Sequence, residues 1–187
     1  SSLAGTFTLD GEISGTRSLW SVGGQFPNTI VFGGNNTYSG NVEINGGTLI
    51  VTRDNALGTV GGTTKVSAGA TLGFQGGLTY NAAEVIKLFG DGVSGLGSLR
   101  NVSGVNQFFG PIDLQSHVTL GATTGSLDLG GTISGSSFNI TKIGAGRIII
   151  SGLGNSFGST TVSDGTLQVN TSLGSGPVSV SAGATLA

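Results

Sequence analysis

The sequence predicts an all-β fold, a parallel β-solenoid that runs as one continuous elongated rod over residues 1–187. Three observations lead to this prediction. Glycine occupies 37 of the 187 positions, about three times its usual share. Short apolar or alternating runs, such as 48–52, 64–67, 98–102 and 112–114, lie between Gly, Asn and Ser residues throughout the chain. The chain also repeats itself, which is typical of solenoids.

The internal repetition divides the chain into two related parts. The septet 66–72 returns unchanged at 180–186, and Gly-Thr-Leu at 47–49 returns at 165–167. Weaker matches relate 56–58 to 172–174, and 9–15 to 129–135. We therefore predict a super-repeat over 8–74 and 128–186, with connecting coils over 75–127. At ~20 residues per coil, each contributing two or three strands, the rod would have roughly nine coils.

The choice of a solenoid over other β folds depends on the turns. Glycine at strand ends supplies the positive-φ corners that each coil needs. Asn-Gly and Asp-Gly pairs, which favour hairpins, are few, and a β-sandwich is the alternative fold. Helix-forming residues occur together only at 81–88. The adjacent Val85 and Ile86 and the short length of this segment favour a strand over a helix there.

Composition excludes several classes of function. Hydrophobic residues make up 36% of the chain and the net charge is -2, so the chain should fold. With 7 Lys and Arg against 9 Asp and Glu, there is no basic surface for nucleic acid. The absence of Cys excludes disulfides and thiolate chemistry. Apolar runs such as 147–150 are far shorter than the ~18 residues of a membrane span. Without an initial Met, we expect a processed product or part of a longer protein.

Few residues could support catalysis. His117 is the only histidine, and its neighbours lack the spacing of a triad or a metal site, so we expect a solvated or turn position. Asp10 and Glu12 are two residues apart and could resemble the carboxylate pair of a glycosidase. The second copy has Gly130 and Thr132 there, so we interpret the pair as an exposed strand face.

Other motifs also favour a structural interpretation. The calcium-binding nonapeptide G-G-x-G-x-D-x-U-x is absent. Gly-x-Gly at 95–97 and at 144–146 does not complete a dinucleotide loop and indicates coil corners. Aromatic residues could form a sugar-stacking surface, but packing in the core is the favoured interpretation; they include Trp20, Tyr38, Tyr80, Phe108 and Phe109. We expect no catalytic, cofactor-binding or metal-binding residues.

The phrase Gly-Asn-Asn-Thr-Tyr-Ser-Gly at 34–40, followed by Ile-Asn-Gly-Gly-Thr-Leu at 44–49, resembles the autotransporter-associated β-strand repeat, also called the passenger-associated transport repeat. Segments 97–104, 109–114 and 141–148 are similar to other phrases of that family, the last to its Lys-x-Gly-x-Gly start. The first copy departs from this start at 20–24, and the second has Asn-Ser-Phe at 155–157 where the family tends to have Asn-Thr-Tyr. The resemblance implies a right-handed parallel β-helix in the passenger of a protein secreted across a Gram-negative outer membrane. It implies no catalytic residues.

The expected function is that of a non-enzymatic extracellular rod, the passenger or stalk of a surface-displayed bacterial protein, which holds other parts away from the cell or itself adheres. The alternative is a subunit of an extracellular filament or matrix built by end-to-end stacking. A polysaccharide-active β-helix enzyme would need clustered Asp, Arg and Lys that the chain lacks. Neither end has a polar cap segment, so the expected partners are adjoining solenoid coils or another copy, with host or matrix surfaces as a further possibility. We expect neither nucleic-acid binding nor membrane insertion by this segment.

Overall fold

The computed structural model describes residues 5–21, 28–59, 61–81 and 84–187, with only the main chain of Trp20 and Ser21 described. These residues form strands, one 3-10 turn at Val93–Gly95 and no α-helix. None of their helical segments is long and apolar enough to cross a membrane. The strands are β1 (Thr6–Leu9), β2 (Leu19–Ser21), β3 (Thr29–Phe32), β4 (Val42–Ile44), β5 (Gly47–Val51), β6 (Thr63–Val66), β7 (Ala70–Gln75), β8 (Thr79–Tyr80), β9 (Val85–Gly90), β10 (Leu99–Ser103), β11 (Val105–Phe108), β12 (Ile112–Ala122), β13 (Ser126–Leu129), β14 (Ile133–Gly135), β15 (Ile140–Ile143), β16 (Arg147–Ile150), β17 (Ser156–Phe157), β18 (Thr160–Val162), β19 (Thr166–Val169), β20 (Val178–Val180) and β21 (Thr185–Leu186).

The strands stack in three columns, and the strand pairs in the described residues are all parallel, which confirms the predicted solenoid. The first column contains β1, β3, β5, β7, β10, the C-terminal half of β12, β15, β18 and β20. The second contains β2, β4, β6, β9, the N-terminal half of β12, β14 and β17. The third contains β8, β11, β13, β16, β19 and β21. Irregular segments take the place of the third column in the first three rungs.

A rung is one circuit that starts at a strand of the first column, and the rungs are numbered along the chain. In the described residues the first column contains nine strands, so the solenoid has about eight complete turns and a last, partial one, where the sequence predicted roughly nine coils. The corners vary in length. Only 18 positions separate Val162 from its partner Val180 in the next rung, whereas 27 separate Leu72 from Leu99.

The core is a continuous stack of inward side chains between the columns. In β5 the buried residues alternate with half-buried ones, and Leu49 stacks on Leu72 of the next rung. Leu49 and Leu167 are both buried. Phe108 packs against Phe74 and Tyr80, with ring centroids 5.7 and 5.6 Å apart. Each side chain buried in this way contributes roughly 1.5–3 kcal/mol.

Within segment 81–88, residues 85–88 form a strand. β9 begins at Val85 and places Ile86 and Leu88 in the core, so the strand prediction is confirmed for 85–88. Residues 82 and 83 lie outside the described residues. So do 22–24 of the segment that departs from the Lys-x-Gly-x-Gly start.

Candidate functional site: polar clamps in the corners of the solenoid

His117 lies at the bend between the two halves of β12, and its side chain is exposed. The Nδ1 atom accepts a hydrogen bond from the main-chain N–H of Asn139 at 3.0 Å. The imidazole ring contacts Phe138 edge-on, with ring centroids 6.0 Å apart. Its contacts therefore fasten a corner to the next rung, as expected of a turn position.

Asp10 and Glu12 are exposed, but they do not share a strand face. β1 ends at Leu9, so both carboxylates lie in the irregular segment that follows it. The sequence interpretation was wrong on this point because Gly11 interrupts the extended run. Glu12 Oε1 accepts a hydrogen bond from the Thr37 hydroxyl at 2.5 Å. Across the described parts of the chain, no three His, Asp or Glu side chains group as metal ligands would.

The aromatic and glycine motifs mostly take structural positions. Tyr38, Tyr80 and Phe108 are buried in the core, whereas Phe109 keeps 39% of its surface exposed. The side chain of Trp20 lies outside the described residues. Both Gly-x-Gly motifs lie at coil corners, where the positive φ of Gly97 (112°) and Gly144 (79°) excludes most other residues.

A buried asparagine joins three successive rungs in the N-terminal part of the solenoid. Asn36 Oδ1 accepts a hydrogen bond from Ile13 N in the first rung at 2.8 Å. Its Nδ2 donates to Ala56 O in the third rung at 2.7 Å. A single side chain thus satisfies one main-chain donor below it and one acceptor above it, both at a corner where the strand ladder is absent.

The same arrangement recurs in the C-terminal part. Asn155 Oδ1 accepts from Ile133 N at 2.9 Å, and Asn155 Nδ2 donates to Ser172 O at 2.7 Å. Phe157 is buried two residues later, as Tyr38 is after Asn36. Sequence reasoning missed both clamps, although asparagine at matching positions of the two copies could have indicated them.

Lys142 provides a second kind of clamp, from within the hydrophobic core. It stacks between Leu120 and Val162 and is fully buried. Its ammonium donates to Gly144 O at 2.5 Å in its own rung and to Asp164 O at 2.8 Å in the next. Burial lowers the pKa of Lys142 to about 8, and the nearby charge of Asp164 partly offsets this. The aliphatic stem fills the column while the amine binds the corner carbonyls.

Two more buried asparagines clamp the middle of the solenoid. Asn106 Oδ1 accepts from Gly77 N at 2.9 Å and from Leu78 N at 2.8 Å, both in the fourth rung. Asn106 Nδ2 donates to Asn101 Oδ1 at 2.7 Å, and Asn101 Nδ2 donates to Thr124 O in the sixth rung at 2.6 Å. The pair therefore connects three rungs through the core.

The outer surface of the first column carries a hydroxyl at the same register in every rung. The ladder consists of Thr6, Thr29, Thr48, Thr71, Ser98, Thr119, Thr141, Thr161 and Ser179. In the middle, residues 91–97 fold back over it as a strap. The Thr71 hydroxyl donates to Gly97 O at 2.8 Å, and the Thr119 hydroxyl donates to the Asp91 carboxylate at 2.9 Å. Thr71, Ser98 and Thr119 are buried as a result.

Comparison with protein families bears on the two asparagine clamps. The model of the passenger-associated transport repeat matches residues 27–51 and 140–169, and each match contains one clamp asparagine. Each of these two segments is similar to that repeat, and the two are called the transport repeats below. Comparison with curated proteins and with solved structures gave no match.

The two passenger-associated transport repeats occupy different sides of the solenoid. The first repeat ends on β5 in the first column, whereas the second ends on β19 in the third column. The identical septets show the same shift. Val66 lies in the second column and Val180 in the first. The repeat therefore specifies a local succession of strand, corner and clamp, and its position around the axis is not fixed.

Chemically, these clamps bind backbone groups rather than a substrate. Each places a buried or half-buried amide or amine against main-chain atoms of its own or adjacent rungs, so that corners without a regular ladder remain paired. Breaking one such contact leaves a buried polar group unsatisfied, at about 1–3 kcal/mol. Their combined effect is to hold the stack of rungs together.

Proposed function

We propose that this chain is a non-enzymatic structural rod from the passenger or stalk of a bacterial protein that is secreted or displayed on the cell surface. The observation that carries the proposal is that two segments similar to the passenger-associated transport repeat fold as rungs of one parallel solenoid. Clamped corners and a packed core suit a long and stiff part of a protein. The outward hydroxyl ladder offers an uncharged surface for adhesion.

Surface display can be tested in the bacterium that makes the protein. Intact cells are labelled with an antibody raised against residues 84–187, before and after treatment with an external protease. We expect labelling of intact cells, or antigen in the medium, and loss of the surface signal after proteolysis. Antigen found only in the cytosolic fraction would contradict the proposal.

A second candidate function, end-to-end assembly, is favoured by the apolar surface of the first rung. A cavity of about 180 Å³ opens there and is lined by Phe7, Leu9, Ile13, Leu19, Ile30, Phe32 and Val42. Phe7 belongs to the inward column, yet 62% of its surface is exposed. In the last strands Val178, Val180 and Leu186 are also exposed. A further solenoid rung, from the parent protein or from a second copy, would continue this column.

Sedimentation velocity over a wide concentration range, followed by negative-stain microscopy, tests assembly by the chain itself. Head-to-tail contacts do not close, so we expect a ladder of species and short filaments. Phe7→Asp should reduce association, whereas Thr8→Asp, at an exposed outward position of the same strand, should leave it unchanged. One monomeric species at every concentration would exclude assembly through these ends.

A further inference from the structure

One ionisable side chain in the core has no charged partner. Glu84 lies directly before β9 and shares the inward side with Ile86 and Leu88. Only 1% of its surface is exposed. Its Oε1 accepts a hydrogen bond from the hydroxyl of Thr64, at 2.8 Å, across the boundary between the third and fourth rungs.

The remaining polar atoms around Glu84 are incompletely paired. In the described residues, Glu84 Oε2 and Tyr80 Oη are buried without a hydrogen-bond partner. The hydroxyl of Tyr38, in the second rung, donates to Ala56 O at 3.2 Å. The groups facing Glu84 are therefore neutral hydroxyls from three different rungs.

The nearest charged residues on the flanking strands point away. Lys65 on β6 and Lys87 on β9 alternate with the buried Thr64 and Ile86, so both lie on the outer side. The Lys65 ammonium lies over the Phe89 ring, 5.9 Å from its centroid. Glu43 on β4 is aligned with Lys65 on that same outer side.

A carboxylate in this position would lose its hydration without gaining a compensating charge. Burial accordingly raises the pKa of Glu84 to about 7, and the hydrogen bond from Thr64 only partly offsets it. Burial also raises the pKa of Tyr38 and Tyr80, so both phenols stay neutral over the range in which Glu84 titrates.

We propose that Glu84 is a pH-sensitive lock between the third and fourth rungs, closed when the carboxyl group is neutral and loosened when it ionises. The neutral acid packs in the core and has a proton to donate, whereas the anion brings an unpaired charge into it. The direction follows from linkage, because the folded chain keeps the proton from the ordinary value of 4.5 up to about 7. Stability from this group is complete below about pH 4.5 and is lost as the pH rises through 7. Glu84 thus contributes most to the stability of the rod in mildly acidic surroundings.

The test compares urea unfolding of the wild type, Glu84→Gln and Glu43→Gln between pH 5 and pH 8.5. The glutamine at 84 keeps the shape and cannot ionise, and Glu43→Gln is the control for a half-buried outer carboxylate. Relative to Glu84→Gln, the unfolding constant of the wild type should rise about 75-fold between pH 5 and pH 8.5. Glu43→Gln should follow the wild type.

A difference between wild type and Glu84→Gln that does not change with pH would overturn the proposal. If Glu84→Gln fails to fold, the carboxyl carbon of Glu84 can be titrated by NMR in the folded wild type. A midpoint near 7 supports the lock, and a midpoint near 4.5 overturns it.

Discussion

The stack of glycines at one corner provides the sharpest test of how tightly the rungs pack. Gly110, Gly131 and Gly152 follow one another in successive rungs. A Cβ at Gly131 would lie 1.9 Å from the carbonyl oxygen of Gly110, and a Cβ at Gly152 would lie 2.0 Å from that of Gly131. Since contact begins near 3 Å, Gly131→Ala would have to push two rungs apart by about 1 Å, against a normal spacing of about 4.8 Å.

That displacement would strain the hydrogen bonds beside the corner, which include Ile112 N to Thr132 O at 2.9 Å and Gly152 N to Leu129 O at 3.1 Å. Overpacking costs about 1–3 kcal/mol and each weakened hydrogen bond about 1 kcal/mol. We therefore expect Gly131→Ala to lower the free energy of unfolding by about 3 kcal/mol or more, measured by urea denaturation followed by circular dichroism.

Gly11 gives a matched control, because it aligns with Gly131 in the first copy and an added Cβ there meets nothing within 4 Å. Gly11→Ala should change stability by no more than about 0.5 kcal/mol. Equal midpoints for the two variants would show that the rungs do not pack as closely as described.

Three further predictions concern the core and the clamps. Leu49→Asp should lower the free energy of unfolding by more than about 4 kcal/mol, because a buried charge finds no partner. Lys65→Ala, on the outer surface, should lower it only slightly. Similar thermal midpoints for the two variants would refute the assignment of Leu49 to the core and Lys65 to the outer side. Asn155→Ala should cost about 2–3 kcal/mol in urea unfolding, since it leaves main-chain groups of two rungs unpaired, whereas the exposed Asn170→Ala should cost less than about 0.5 kcal/mol. The lowered pKa of Lys142, about 8 against an ordinary 10.5, predicts that wild-type stability rises from pH 8 to pH 10.5 relative to Lys142→Met; a pH-independent difference between the two would contradict the buried ammonium.

Much of the fold could be predicted because the local sequence of a strand determines which of its side chains point into the core. The alternation in Gly-Thr-Leu-Ile-Val places Leu49 inward regardless of what surrounds it, and glycine identifies the corners. The small number of Asn-Gly and Asp-Gly pairs favoured parallel stacking over a sandwich. Each of these inferences depends only on neighbouring residues.

The clamps could not be predicted in the same way, since they depend on which residues meet across rungs. Alternation gives Lys142 an inward Cβ but does not show that its amine reaches Asp164 O in the next rung. The pairing of Asn36 with Ile13 and Ala56 can be predicted only if the lengths of two corners are known, and corner lengths vary. The strap at 91–97 is likewise a long corner, and its position over the first column depends on hydrogen bonds to the Thr71 and Thr119 hydroxyls.

The shift of the two transport repeats between columns shows that the period of the sequence is not a whole number of turns of the solenoid. Val66 begins its septet in the second column and Val180 begins the identical septet in the first, although corners of different length keep the columns themselves aligned. Successive copies of one sequence therefore present their outer side chains at different angles around the axis, so that repetition along the chain distributes the same surface around the circumference of the rod.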